Sequence, residues 1–375
     1  MGRRGFLAGT AAAAAASLVA CSTGDGERAD GAGRRHPRRH ALTQRGINYD
    51  TGMAFFPDLD PTALTRTVWQ TEYVRREIDA ITDDLHCNAI LVLGSDHDRL
   101  MEAATIAAER QLYVWIEPRF PDFDAAETAA HLGDLAQAAE ALRAEHPDVG
   151  IALGCELSIF MDGLVPGDTW QDRIATLVSG TSGDYDTSLN AFLAEAATEV
   201  RRTFGGQLTY SSGPWEQVDW SPLDLVGVDL YRDASNTDTY EQEVSALRSF
   251  GKPVIITELG CCAFRGAAER GADGWSVVEH GSDPPIPSDL VRDEHVQADY
   301  IDELLTVFES ERVHGAFVYN FVEPDMPHHP DPHYDLDLGS YGVVKCYPDG
   351  HERSYATTGE WDPKAAVAVI ADHYR

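Results

Sequence analysis

The sequence predicts a (β/α)8 barrel, on three observations. Eight short β-rich runs alternate with stretches whose apolar residues fall at helical spacing, the signature of βα units around a parallel sheet. The alternation fills residues 46–375, a length that suits one barrel with long βα loops. Most of the runs end on or beside a carboxylate, where such a barrel carries its reactive groups. A doubly wound open sheet is the alternative. It lacks the expected Gly-rich phosphate turn after the first run, where Asn48, Tyr49 and Asp50 stand instead.

The elements follow in chain order. Arg3 and Arg4 precede an Ala-rich apolar run that ends Leu18-Val19-Ala20-Cys21, the pattern of a signal peptide over residues 1–21. That apolar run is too short to span a bilayer. Its twin Arg resembles a Tat signal and Leu-Val-Ala-Cys resembles a lipobox, which implies lipidation of Cys21. Residues 22–45 hold Gly, Ser, Asp and Arg with almost no apolar content and read as a flexible tether. The barrel domain then spans residues 46–375. Its β-rich runs are 46–50, 89–94, 112–117, 151–156, 208–212, 225–231, 253–259 and 315–321. Helical spacing joins Val74, Ile78, Ile81 and Leu85, then Leu132, Leu135, Ala139 and Leu142, then Leu189, Leu193, Ala196 and Val200. Val296, Tyr300, Leu304 and Phe308 mark another helix, and a last one runs from Lys364 to His373.

Composition narrows the function. Hydrophobic residues make up 43% of the 375, enough for a full core. The formal charge is −33, and residues 1–45 carry eight Arg against three acids, so the barrel region is more acidic still. A body this acidic repels phosphate backbones, which excludes nucleic acid as a partner. The expected partners are a carbohydrate substrate and the membrane, the latter through the N-terminal lipid. The expected location is the outer face of the cytoplasmic membrane. No cofactor is implied, and no oligomeric state is specified.

The chemistry lies at the strand ends. Asp50 closes the first run, Glu117 the third, Glu156 the fourth, Asp229 and Tyr231 the sixth and Glu258 the seventh, while the eighth leads to Tyr319 and Glu323. A glycosidic oxygen leaves poorly until it is protonated, and the oxocarbenium-like centre needs an anion opposite. Paired carboxyls about 5 to 5.5 Å apart meet both needs with retention, and wider pairs give inversion. Glu156 in Ala-Leu-Gly-Cys-Glu-Leu and Glu258 in Val-Ile-Ile-Thr-Glu-Leu-Gly form the sharpest such pair. Asp50, Asp96, His97, Glu117, Asp229, Trp275, Tyr319 and Glu323 are the candidate substrate-binding residues around it.

Acids ending strands four and seven resemble the retaining clan A glycoside hydrolases, and Gly-Cys-Glu-Leu resembles the acid/base strand of the family 113 β-mannanases. The resemblance implies that Glu156 is the acid/base, Glu258 the nucleophile and Tyr231 a hydrogen-bond donor to the nucleophile. The chain departs from that pattern at Cys155, where most of the superfamily has Asn, and at Tyr319 and Phe321, where a Trp platform is usual. Gly-Ile-Asn-Tyr-Asp-Thr-Gly, Leu-His-Cys-Asn-Ala, Glu-Leu-Gly-Cys-Cys and Ser-Tyr-Gly-Val-Val-Lys also resemble bacterial proteins named as abortive phage infection proteins, a name that carries no mechanism.

Two rival readings stay open. One is a catalytically silent barrel that binds cell-wall glycan or a partner protein. The other is a metal-dependent hydrolase built on Asp325, His328, His329, Asp331, His333, Asp335 and Asp337. Histidine and carboxylate at short spacing suit zinc, but no helical or strand register fixes their geometry, so no metal site is assigned. Cys87, Cys155, Cys261, Cys262 and Cys346 match no zinc spacing, and the adjacent Cys261 and Cys262 read as packing residues. Arg119 and Arg265, on loops of the active face, are read as salt-bridge partners of the acids.

Overall fold

The computed structural model describes residues 42–55, 64–279 and 281–375; Cys21 and the Arg-rich stretch of the expected tether lie outside them. Eight parallel strands close into a barrel in the order β1 to β8. They are β1 (Gln44–Asp50), β2 (Ala89–Gly94), β3 (Tyr113–Pro118), β4 (Val149–Cys155), β5 (Gln207–Ser212), β6 (Val226–Asp229), β7 (Val254–Leu259) and β8 (Gly315–Val318). Helices α1 (Thr71–Asp83), α2 (His97–Glu109) and α3 (Ala125–Glu145) follow the first three strands. A single turn α4 (Leu157–Phe160), then α5 (Trp170–Val178) and α6 (Asp186–Val200), lie between β4 and β5. Helix α7 (Tyr240–Ala246) follows β6 and α8 (Glu294–Ser310) follows β7. Beyond β8 the chain forms a two-stranded antiparallel ribbon of β9 (Val344–Cys346) and β10 (Trp361–Pro363), with α9 (Tyr355–Thr358) between them, and ends in α10 (Ala365–Tyr374).

Each expected run is a strand, with ends displaced by a few residues. The largest difference is in the eighth, where pairing stops at Val318 rather than Phe321. β1 begins at Gln44, inside the stretch expected as tether, because Leu42 and Gln44 are already buried against the barrel. The strands are apolar on both faces, as a sheet covered inside and out requires. Inside the barrel Leu91, Leu93, Trp115, Leu225, Ile255 and Phe317 pack as a core of their own. Trp115 fits because Gly150 faces it: a Cβ there would lie 2.5 Å from the indole ring. Trp115 is thus a core residue, with its Nε1 donating to Gln44 Oε1 at 2.9 Å.

Outside the barrel, the helices bury the expected stripes, such as Leu132, Leu135, Ala139 and Leu142 of α3. Asp124 caps α3 in a reciprocal box with Glu127. Asp96 caps α2 through the backbone N–H of Arg99. The five cysteines of the described residues are buried and unpaired, with Cys261 and Cys262 in the main hydrophobic core. No helix among the described residues is long and apolar enough to cross a membrane.

Candidate active site

The parallel strands all point their C-terminal ends to one mouth, and the sheet is irregular there. Register shifts occur between Ala152 and Cys155 on β4, between Val228 and Asp229 on β6, and between Ile256 and Leu259 on β7. Such shifts re-aim side chains, and these three flank Glu156, Asp229 and Glu258. Glu156 stands just past β4 in the left-handed region, φ 44° and ψ 48°, a costly conformation for a residue with a Cβ. Asp229 and Glu258 are direct neighbours across β6 and β7.

One arginine is shared among the acids. Arg119, just past β3, donates from Nε to Glu117 Oε1 at 2.6 Å and from Nη2 to Glu258 Oε1 at 2.5 Å. Glu117 also accepts from the Ser211 hydroxyl. The other oxygen of Glu258 accepts from Tyr231 Oη at 2.8 Å. Asp229 accepts from Thr257 Oγ1 at 2.7 Å and from the Cys155 thiol at 3.3 Å. No described residue hydrogen-bonds the carboxyl of Glu156.

Charge and burial separate these groups. Burial, then the charges of Glu258 and Glu216, push Glu156 well above the usual carboxyl range. Burial, then Glu258 and Glu156, do the same to Asp229. Glu117 is raised by burial, against which Arg119 and Ser211 work. Burial also holds the Tyr231 phenol and the Cys155 thiol protonated, so both act as donors. The mouth therefore sets a Glu156 whose titration is raised beside a Glu258 held by a guanidinium and a phenol.

The remaining candidates are spread over the mouth and its rim. Asp50 is bonded by Gly52 N at 2.6 Å and by Thr65 Oγ1 at 2.7 Å, which fixes the turn after β1. Glu323 accepts from Tyr341 N at 3.1 Å, and burial pushes its carboxyl up to about 7. Tyr319 lies under Arg119, its ring centroid 5.9 Å from the guanidinium carbon, and meets Tyr341 edge-on. Trp275 is 38% exposed, with its ring 6.3 Å from Trp170, which in turn packs on Phe55 at 5.6 Å; this gives an aromatic wall. Asp96 is occupied as a helix cap, and His97 packs among Phe120 and His131, away from the central acids.

The His-rich loop does not gather. His328 bonds Asp335 at 2.9 Å, whereas His333 bonds the Ile286 carbonyl at 2.7 Å. Among the described residues, the grouping with ligand atoms close enough to hold a metal is Cys155, Asp229 and Glu258, within 4.8 Å of one another. Arg265 pairs with Asp293 at 3.3 Å on the surface.

Sequence reasoning missed Glu216, buried behind Glu156 and held by Ser158 and Tyr210. Run five ends on Ser212, so no acid drew attention there. The signal was Gly213-Pro214-Trp215-Glu216, an acid four residues beyond a strand end.

Glycoside hydrolases are one class of enzyme built on a closed (β/α)8 barrel with carboxyls at the C-terminal ends of its strands. Solved structures of that class share the fold. A GH113 β-1,4-mannanase aligns with a TM-score of 0.55 at 17% identity, over 89% of this chain and 99% of its own. The GH113 β-mannanase of Alicyclobacillus acidocaldarius in complex with ManMIm aligns with a TM-score of 0.55 at 14% identity, over 89% and 97%. The β-D-glucuronidase of Dictyoglomus thermophilum gives 0.52 at 14% identity, over 89% of this chain and 50% of that one. At these identities the likeness is one of fold. No protein-family model matches the chain, and no curated protein does.

Proposed function

We propose that this protein is a retaining glycoside hydrolase in which Glu156 is the acid/base and Glu258 the nucleophile. One observation carries the reading: two glutamates share a mouth but have opposite surroundings. Glu156 is raised by burial and by neighbouring negative charge and so keeps its proton, as a general acid must. Glu258 instead accepts hydrogen bonds from Arg119 and Tyr231. The Trp275–Trp170 wall offers a stacking face to a sugar ring. The GH113 neighbours are β-1,4-mannanases, which makes β-1,4-mannan the first polymer to try. The Arg3-Arg4 and Leu18–Cys21 signals support export and a lipid anchor on Cys21, with residues 22–45 as tether.

The test is stereochemical. Hydrolysis of β-1,4-mannan or an aryl β-glycoside, followed by NMR from the first minute, should release the β-anomer first. The variant Glu156→Ala should lose roughly 10²–10⁴-fold on substrates with poor leaving groups and much less on activated aryl glycosides, with azide restoring turnover. Wild-type protein that binds glycans yet turns over none would establish the silent barrel instead. That rival draws on one contact, the Arg119 guanidinium seated on Glu258. Loss of lipid labelling in Cys21→Ala checks the anchor.

A further inference from the structure

Glu216 is a buried glutamate, 7% exposed, in the loop after β5, and the mechanism above gives it no part. Its Oε1 accepts from Ser158 N at 3.0 Å and Ser158 Oγ at 2.6 Å, and its Oε2 from Tyr210 Oη at 2.8 Å and Gly213 N at 3.2 Å. Both hydroxyls have an N–H on their far side. Leu157 N donates to Tyr210 Oη at 2.7 Å, and Trp215 Nε1 donates to Ser158 Oγ at 2.9 Å. Each hydroxyl accepts from that N–H and is placed to donate to Glu216. Two backbone N–H groups and two hydroxyls converge on the carboxyl, contacts that favour its ionised form. Burial raises its titration above the ordinary carboxyl range, and the bonds from Ser158 and Tyr210 lessen that rise.

These contacts grip the two residues that follow Glu156. Leu157 N and Ser158 N are the first N–H groups of α4, and both are tied, directly or through Tyr210, to Glu216. Glu156 itself stands in a left-handed conformation that surrounding structure must hold in place. Its own N–H is fixed to Ser211 O at 2.8 Å, on the strand that leads to Glu216.

We propose that Glu216 is the positioning residue of the proton donor: a fixed buried anion that clamps the turn carrying Glu156 and keeps the proton on it. The proposal rests on the acid/base reading of Glu156. The charged groups that face Glu156 are Glu258 on β7, Glu117 on β3 with Arg119 just past it, Asp229 on β6 and Glu216, with the Cys155 thiol beside it. Those that face Glu216 are Tyr210, Tyr185 and Glu156. Arg119 is already engaged by Glu117 and Glu258, so Glu216 acts on Glu156 without a cation of its own.

Titration by NMR with 13C-carboxyl glutamate needs no substrate and reads the effect directly. Glu216→Gln should move the Glu156 midpoint down by about one pH unit, and the basic limb of the activity profile should follow it. The order of titration is a second reading: Glu216 should lose its proton below Glu156, so Glu156→Gln, which replaces a group still protonated in that range, should leave the Glu216 midpoint in place. That second variant changes only the mouth and serves if Glu216→Gln does not fold. Tyr210→Phe keeps the charge and cuts part of the clamp; it should lower turnover while leaving the Glu156 midpoint in place or higher. Equal falls of the midpoint in Glu216→Gln and Tyr210→Phe, no fall of the Glu156 midpoint in Glu216→Gln, or a Glu216 midpoint that falls in Glu156→Gln, would overturn the proposal and leave the glycosidase reading standing. A shift found in a protein whose Glu156→Ala variant ignores the leaving group would overturn both.

Discussion

Arg66 and Arg119 are both buried and both hold glutamates, but their networks balance charge differently. Arg66, behind β1, donates to Glu77 Oε2 at 2.5 Å, and Glu77 also accepts from Tyr49 at 2.6 Å and Tyr355 at 2.6 Å. One cation meets one anion there, and the phenols fill the remaining lone pairs. Arg119 is divided between Glu117 and Glu258, while Asp229 and Glu156 stand close by without a cation of their own. The first arrangement is a satisfied ion pair that ties α1 and α9 to β1. The second carries a surplus of carboxyls, and burial with mutual repulsion raises the titration of Glu156 and Asp229. Surplus of this kind marks a site of proton transfer more readily than a structural brace.

Removing one anion from each network should therefore break different things. Glu258→Ala should lower turnover by about 10⁴-fold or more, with a melting temperature unchanged or higher, since a like charge leaves an overloaded cluster. Glu77→Gln should cost about 3–5 kcal/mol, because Arg66 is left buried without its counter-charge. Its activity at temperatures where it stays folded should keep the wild-type pH profile. Denaturant melts and initial rates on both variants check the contrast, and equal destabilisation would make both networks structural.

Glu323 gives the smallest effect and sharpens the charge argument. Burial pushes its carboxyl from the ordinary 4.5 up to about 7, so the native state binds this proton more tightly than the unfolded chain. The stabilisation is complete below pH 4.5 and is lost as pH rises to about 7. Glu323→Gln should flatten that part of the stability curve, measured by urea midpoints across the window. A slope that survives the change would assign the proton to another group.

The barrel was legible because its strands announce themselves: each is a short apolar run between turns, and covering both faces of the sheet demands that pattern. Glu156, Asp229, Tyr231 and Glu258 were legible because topology alone sends strand ends to one place. The strand-end rule does not resolve what each acid touches. Asp50 and Asp96 ended or followed runs as the others did, yet one fixes a turn and the other caps α2. Nor does that rule tell a core tryptophan from an exposed one: Gly150 makes room for Trp115 inside the barrel, whereas Trp275 is partly exposed. Glu216 escaped because its contacts span the gap between the fourth and fifth units, a distance that no local pattern encodes.

The five thiols have a use that their burial creates. Cys87 precedes β2, Cys155 closes β4, the adjacent Cys261 and Cys262 follow β7, and Cys346 lies in β9, so the five thiols mark four sectors of the molecule. Burial suppresses their thiolate forms as well as their access. An alkylating reagent meets each one only when its own sector opens, and the five modification rates would read out, side by side, how unevenly this barrel breathes.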